Sequence, residues 1–132
     1  MTHVAKHVSV SIRRPPTEVY TFASNPENLP KWASGLSDSI KKEGDAWVAD
    51  SPMGKVKVKF VDQNTLGVLD HEVTLESGAK VYNPLRVQPN GDGCEVVFTL
   101  YRLPERSELE FKEDADRVQK DLARLKGIVE KR

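Results

Sequence analysis

The sequence predicts an α+β fold in which a curved antiparallel sheet of seven strands wraps around one long C-terminal helix, with two short helices after the first strand. Apolar and polar residues alternate in several short segments, and turn residues separate these segments. A capping motif at Ser107 then begins a long amphipathic segment. The length of 132 residues suits one core, so we expect a single domain over residues 1–132.

The first strand and the two short helices are predicted at the start of the chain. Val4–Ile12 alternates with period two, which indicates a half-buried strand. Pro16 suits the first turn of a helix, where its missing N–H costs nothing. Asn25 is a suitable cap for a second short helix, and Leu29 and Trp32 would anchor it in the core.

The middle of the chain, from about Ser37, has the pattern of strands joined by short turns. Lysines alternate with Val and Phe most regularly in Lys55–Phe60. Turns are expected at Pro52-Met53-Gly54, at Ser77-Gly78 and between Pro89 and Gly93. The strands of this region for which we predict definite bounds are Ala46–Ser51, Lys55–Phe60, Leu66–Glu76, Ala79–Gln88 and Cys94–Arg102.

The long helix is predicted from Ser107 to about Lys131. Ser107 and Glu110 have the spacing of a capping box, in which the serine caps the first turn and the glutamate reaches back. The apolar residues that follow recur at intervals of three and four, and therefore form one face: Phe111, Ala115, Val118, Leu122, Leu125 and Val129. We expect this face to cover the apolar side of the sheet.

Charge and composition argue against a nucleic-acid partner and against a membrane span. Twenty basic and twenty acidic residues give zero net charge, which disfavours a nucleic-acid binder. No segment approaches the length of a membrane span, and the N-terminus lacks the apolar core of a signal peptide, so we expect a cytoplasmic protein.

Cys94 is the single cysteine, and its strand neighbours predict a buried thiol. We expect a monomer or a homodimer.

Neither a metal nor a cofactor is expected. His3 and His7 are four residues apart, which in an extended chain is about 13 Å and too far for a shared ion. The glycines near Asp92 belong to a hairpin turn without a following helix, so they do not form a phosphate-binding loop.

Four segments resemble one known family. They are Ile12–Trp32 with its Asn-Pro-Glu-Asn-Leu-Pro-Lys-Trp run, Gly67–Val73, Asn83–Val87 with Pro89-Asn90-Gly91, and Glu95–Arg102. Together with the order of elements, they resemble the helix-grip fold of the START/Bet v 1-like superfamily, and within it the polyketide cyclase/dehydrase and lipid-transport proteins. This resemblance implies a cavity between the concave face of the sheet and the long helix.

Strand alternation identifies candidate polar residues in that cavity. His71 has the phase of inward residues, whereas Asp70, Glu72 and Thr74 have the phase of the solvent face. Asn83 also has an inward phase, and hairpin pairing can bring it close to His71. A buried imidazole can act as a general acid or base. The alternative is a core histidine whose hydrogen bonds are satisfied, and Pro84 can also shift the phase of Asn83.

Apolar residues complete the candidate site. Trp32 lies where the cavity mouth would be, although core packing is the favoured role, and the other candidate ligand contacts are Phe98, Val118 and Leu122. On the opposite face, Arg86 is expected to pair with Asp70 or Glu72, and Tyr82 and Tyr101 are expected to point outward.

Two functions are compatible with these residues. The first is a carrier or sensor for a small hydrophobic metabolite, favoured because the inner face offers few titratable groups. The second is a polyketide cyclase- or dehydratase-like enzyme that uses His71 as acid or base and Asn83 to orient a carbonyl. A protein-interaction domain that uses the outward tyrosines is a third possibility.

Overall fold

The computed structural model describes residues 1–33, 35–36, 39–52 and 54–132. Its strands are β1 (Ala5–Ile12), β2 (Lys41–Glu43), β3 (Ala46–Ser51), β4 (Gly54–Phe60), β5 (His71–Thr74), β6 (Lys80–Asn83), β7 (Leu85–Asn90) and β8 (Gly93–Tyr101). Its helices are α1 (Pro16–Ala23), α2 (Leu29–Trp32) and α3 (Glu108–Glu130), and a 3₁₀ turn (Pro26–Asn28) precedes α2.

The strands form two antiparallel sheets that share one core with α3. The smaller sheet has the order β1-β8-β7, and the larger has the order β2-β3-β4-β5-β6. The helix packs mainly on β1 and α2. The hydrophobic core combines residues from both sheets and all three helices, including Ile12, Val19, Trp32, Val58, Leu69, Leu85, Val96, Leu122, Leu125 and Val129.

The long helix agrees with the prediction to within one residue at each end. Ser107 caps it: Oγ accepts from the backbone N–H of Glu110 at 3.1 Å, and the Glu110 carboxylate accepts from the N–H of Ser107 at 2.9 Å. At the other end Arg14 donates to the carbonyl oxygens of Val129 at 3.1 Å and Glu130 at 2.8 Å. These carbonyls belong to the last turn, where the regular N–H partners of a helix run out, so Arg14 fixes the end of α3 to the β1–α1 connection.

The first strand and the short helices were also predicted correctly. Helix α1 begins at Pro16, and Asn25 caps the 3₁₀ turn by accepting from the N–H of Glu27 at 3.1 Å. The predicted onset of strands near Ser37 and the predicted turn at Pro52-Met53-Gly54 each include residues outside the described part of the chain.

The prediction of one sheet of seven strands was wrong: the described residues form two sheets of three and five strands, and Ala79–Gln88 is divided at Pro84. Proline has no N–H to donate to a ladder, so the chain changes partners there. Strand β6 pairs with β5, whereas β7 pairs with β8. Two backbone hydrogen bonds join the sheets across this break, from Leu69 N–H to the Leu85 oxygen and from Val87 N–H to the Gly67 oxygen, both 2.8 Å.

The predicted strand Leu66–Glu76 was too long at both ends, and β5 begins only at His71. The side chain of Asn64 accounts for the difference at the start. It accepts from the N–H groups of Leu66 and Val68 and donates to the Val68 oxygen, so it holds these residues in a loop. Gly67 lies in this loop with φ +74°, where a Cβ atom would clash with the carbonyl oxygen of Val87.

Candidate ligand-binding site

His71 lies at the first position of β5 on the inner side of the larger sheet. It is half-buried and stands opposite Phe60 of β4 in the strand register. The Phe60 ring centroid is 5.0 Å from that of the imidazole at an interplanar angle of 43°, and the Phe98 ring is 6.3 Å away with its edge to the face. The inward orientation that strand alternation predicted is therefore observed, and the imidazole has aromatic neighbours from both sheets.

Asn83 is the direct cross-strand partner of His71. The β5–β6 register pairs the two residues, and Asn83 Nδ2 lies 3.5 Å from His71 Nε2. On its other side His71 Nδ1 lies 3.0 Å from the carbonyl oxygen of Leu69. A carbonyl oxygen only accepts, so Nδ1 carries the proton and Nε2 presents a lone pair toward Asn83. The expected proximity of the two polar residues is thus confirmed.

The surroundings of His71 favour its neutral form. Burial lowers the pKa of the imidazole below its ordinary value, and the hydrogen bond to Leu69 and the charge of Asp70 oppose this effect only in part. At neutral pH the side chain is consequently a neutral imidazole with one acceptor nitrogen. It can accept a hydrogen bond or a proton at Nε2.

The degree of burial of the apolar face of α3 changes along the helix. Leu122, Leu125 and Val129 are at most 1% exposed, so the C-terminal half of the helix is closely packed on the core. Phe111 and Val118, in the N-terminal half, remain half-buried. The inward sheet residues that are likewise half-buried include Phe60, Val73, Phe98 and Leu100. The inner face is therefore incompletely covered on the side of Phe60 and Phe98.

Trp32 is a core residue, as the sequence favoured. It is 5% exposed and belongs to the same cluster as Leu122. Its Nε1–H has no hydrogen-bond partner among the described residues, although the backbone oxygen of Trp32 accepts from Arg124 at 3.0 Å. A buried indole N–H normally has a partner, so this unpaired donor is unusual for a core tryptophan.

Asp70 was expected to be exposed on the solvent face, and this expectation of exposure was wrong: the residue is 3% exposed. One carboxylate oxygen accepts from Leu85 N–H at 2.9 Å and from Arg86 Nε at 2.8 Å. The other accepts from Arg86 Nη2 at 2.7 Å and from the Tyr82 hydroxyl at 2.9 Å. The predicted pairing of Arg86 with Asp70 is confirmed. The side chains of Arg86 and Tyr82 are what cover the carboxylate.

This cluster fixes the backbone that carries the site. Asp70 lies in the chain between Leu69 and His71, whose main-chain oxygen and imidazole contact each other. Its carboxylate also accepts from the N–H of Leu85, two residues after Asn83. The Arg86 guanidinium, followed by the hydrogen bonds of Leu85 and Tyr82, lowers the pKa of Asp70 to about 2 against the opposing effect of burial. The sequence contained one signal of this cluster, the outward phase of Arg86 two residues after Pro84. That signal predicted an exposed ion pair and not a buried carboxylate.

The other polar candidates have no part in this site. Cys94 is 1% exposed, as predicted, and burial raises the pKa of its thiol. Tyr82 and Tyr101 are exposed, also as predicted. In the described part of the chain, no cluster of three or more His, Cys, Asp or Glu side chains is arranged to hold a metal ion. Within the same residues, no helix combines the length and the apolar character needed to cross a membrane.

A separate groove lies on the surface between α1 and the end of α3. Its volume is about 470 Å³, and Thr21, Phe22, Asn25 and Arg132 are among the residues that line it. The Arg132 guanidinium lies over the Phe22 ring at 5.0 Å from its centroid. None of the residues predicted to contact a ligand lines this groove.

The fold and the site define a helix-grip protein, in which a sheet encloses a long C-terminal helix and half-buried apolar residues surround a few polar groups. The model of the family described as polyketide cyclase/dehydrase and lipid transport matches residues 3–130, and the chain belongs to this family. The predicted resemblance to the START/Bet v 1-like superfamily is thereby confirmed. No curated protein sequence matches the chain.

Solved structures share the fold at low sequence identity. DynU16, from the dynemicin biosynthetic locus, has a TM-score of 0.73 and 17% identity; the match covers 96% of this chain and 47% of DynU16, so the chain spans about half of that protein. Ara h 8.0201 has a TM-score of 0.70 and 14% identity, with 98% and 99% of the two chains covered. The Aha1 dimer from Colwellia psychrerythraea has a TM-score of 0.76 and 16% identity, with 96% of each chain covered.

Proposed function

We propose that the protein binds a small, largely hydrophobic metabolite between the sheet and the N-terminal half of α3, as a carrier or sensor. The observation that carries this proposal is the incomplete burial of inward apolar side chains around His71. Phe60, Phe98 and Val118 are half-buried, although their strand or helix phase directs them to the inside. A ligand that completes their burial gains roughly 25 cal/mol for each Å² of apolar surface removed from water.

The polar groups near this surface support the same proposal. Ligand sites are mostly apolar and contain a small number of placed polar groups that fix orientation. Here these groups are His71 Nε2 and the Asn83 amide. The family description, which includes lipid transport, agrees with a ligand of this kind.

The proposal is tested by filling the site. In Val118→Trp an indole would occupy the space next to the half-buried sheet residues. Ala123→Trp is the matched control, because Ala123 is exposed on the same helix. Titration with the uncharged fluorescent probe N-phenyl-1-naphthylamine should show about tenfold weaker binding or worse for Val118→Trp, which is a loss of about 1.4 kcal/mol. The control should bind like the original protein.

Equal affinity in both tryptophan variants would contradict the proposal, because the probe would then bind outside this site. Native mass spectrometry of protein purified from cell extract gives an independent measurement. A co-purifying small molecule that is present with the original protein and absent with Val118→Trp is the expected result.

The state of His71 favours a second candidate function, an acid/base enzyme of the cyclase or dehydratase type. A neutral imidazole with an unprotonated Nε2 can remove a proton from a carbon or hydroxyl group, and Asn83 can donate to a neighbouring carbonyl. Metabolite extract incubated with the original protein should then change in mass spectrum. His71→Ala should abolish that change while the probe still binds. Loss of probe binding alone would instead support the carrier.

A further inference from the structure

The pair His71–Asn83 has a pattern of hydrogen-bonding atoms that determines which ligand groups fit. Nδ1 of His71 is committed to the Leu69 carbonyl at 3.0 Å, so Nε2 is an acceptor. Asn83 presents its Nδ2 donor to the same region, 3.5 Å from Nε2. That separation is at the long limit of a hydrogen bond, so the two groups satisfy each other poorly.

From this arrangement we infer that the ligand carries an uncharged hydroxyl group, which donates to His71 Nε2 and accepts from Asn83 Nδ2. An oxygen about 2.8 Å from each nitrogen forms a triangle with the two, and this is an ordinary distance for such bonds. A hydroxyl is the group that supplies one donor and one acceptor from a single atom. The inference rests on the proposed function and specifies the chemistry of its ligand.

Other polar groups fit this pair less well. A ketone or ether oxygen can accept from Asn83, but it brings its lone pairs against the lone pair of Nε2. A carboxylate has the same conflict and adds a charge beside Phe60 and Phe98, whose rings lie 5.0 and 6.3 Å from the imidazole. An ammonium group would satisfy Nε2 and would also lose its hydration among these rings.

The test compares two probes in which a methyl group replaces the donor hydrogen. The hydroxyl of 2-naphthol donates and accepts, whereas the ether oxygen of 2-methoxynaphthalene only accepts. The ether is the more apolar probe, so hydrophobic transfer alone would favour it. Calorimetric titration of the full chain should nevertheless show about 3- to 10-fold tighter binding of 2-naphthol, as expected for one additional hydrogen bond.

Two variants locate the effect. His71→Phe keeps an aromatic ring and removes the acceptor, so the preference for 2-naphthol should disappear while 2-methoxynaphthalene still binds. His7→Gln is the control, since His7 lies on the outer face and its Nδ1 contacts the Thr99 hydroxyl at 3.0 Å. This variant should retain the preference.

A spectroscopic measurement on the unaltered protein keeps the inference testable if His71→Phe fails to fold. In ¹⁵N NMR the Nε2 resonance of His71 should show an unprotonated nitrogen at neutral pH and shift on addition of 2-naphthol. The resonances of His3 and His7 should not move.

The outcomes separate this inference from the proposed function. Equal binding of the two probes, a preference that persists in His71→Phe, or an Nε2 resonance that does not respond would overturn the hydroxyl assignment alone. Failure of both naphthalenes and of N-phenyl-1-naphthylamine to bind would overturn the proposed function together with it.

Discussion

Replacing Asp70 by asparagine perturbs the cluster that joins the two sheets. Each carboxylate oxygen accepts two hydrogen bonds, and the four donors come from Leu85, Tyr82 and Arg86. In Asp70→Asn one oxygen becomes an NH₂ group. Whichever way the amide turns, this group faces two donors, so one pair of hydrogen bonds is lost and the charge that attracts Arg86 is removed.

The expected loss of unfolding free energy at neutral pH is about 2–3 kcal/mol, below the range for a fully buried pair because the Arg86 side chain is 52% exposed. Part of this loss depends on pH. The pKa of Asp70 falls from 3.8 to about 2 on folding. That shift corresponds to about 2 kcal/mol, which screening at Arg86 reduces to about 1–2 kcal/mol.

The sign follows from the lowered pKa of Asp70. The contribution is fully present above the unfolded pKa near 3.8 and is lost as the pH falls toward about 2. The difference in stability between the original protein and Asp70→Asn should therefore narrow between pH 5 and pH 2.5. Glu130, whose pKa is also lowered to about 2, titrates in both proteins and cancels in the comparison.

Urea denaturation monitored by tryptophan fluorescence measures this difference at each pH. Asp50→Asn is the control, because Asp50 forms an exposed ion pair with Lys55 at 3.6 Å. Its effect should stay below about 0.5 kcal/mol. If Asp70→Asn also loses less than about 0.5 kcal/mol, or if its loss is constant over this pH range, the carboxylate does not hold the junction of the sheets.

Three further predictions concern the fold. Gly67→Ala should destabilise the protein by at least about 2 kcal/mol more than Gly78→Ala in thermal or urea unfolding. Both glycines have positive φ, but of the two only Gly67 would bring the new Cβ against a backbone oxygen. Equal losses of stability in the two variants would refute this steric argument. Ser107→Ala should cost about 1 kcal/mol and Ser107→Thr distinctly less, since threonine retains the cap. Cys94 should resist alkylation by iodoacetamide in the native state and react after denaturation, and rapid native labelling would show that its burial is wrong.

The features that sequence predicted well depend on local signals. The capping box at Ser107 and the apolar spacing of α3 involve residues within one or two turns of each other, so no tertiary contact is needed to recognise them. The pairing of His71 with Asn83 follows from the turn at Ser77-Gly78, because a hairpin turn sets the register of the strands that it joins. Inward phase and register together located this polar pair.

The environment of Asp70 could not be obtained in the same way. Alternation along a strand shows on which face of the sheet a side chain lies, but it does not show what covers that face. Tyr82 and Arg86, which cover Asp70, lie on either side of Pro84 and belong to different sheets. The strand break at Pro84 brings them together, and its geometry depends on the pairing of β7 with β8, which is long-range.

The two halves of α3 have different consequences for ligand binding. Arg14 fixes the C-terminal end, and Leu125 and Val129 are 0% exposed, so a ligand could enter there only by displacing packed side chains. In the N-terminal half Val118 is half-buried and receives no such complete cover. Apolar surface that is already partly exposed need not be unpacked before a ligand covers it, and its burial offsets part of the cost of association. Both proposed functions therefore place the ligand between the first half of α3 and the strands that carry His71 and Phe98, where its entry would displace fewer packed side chains.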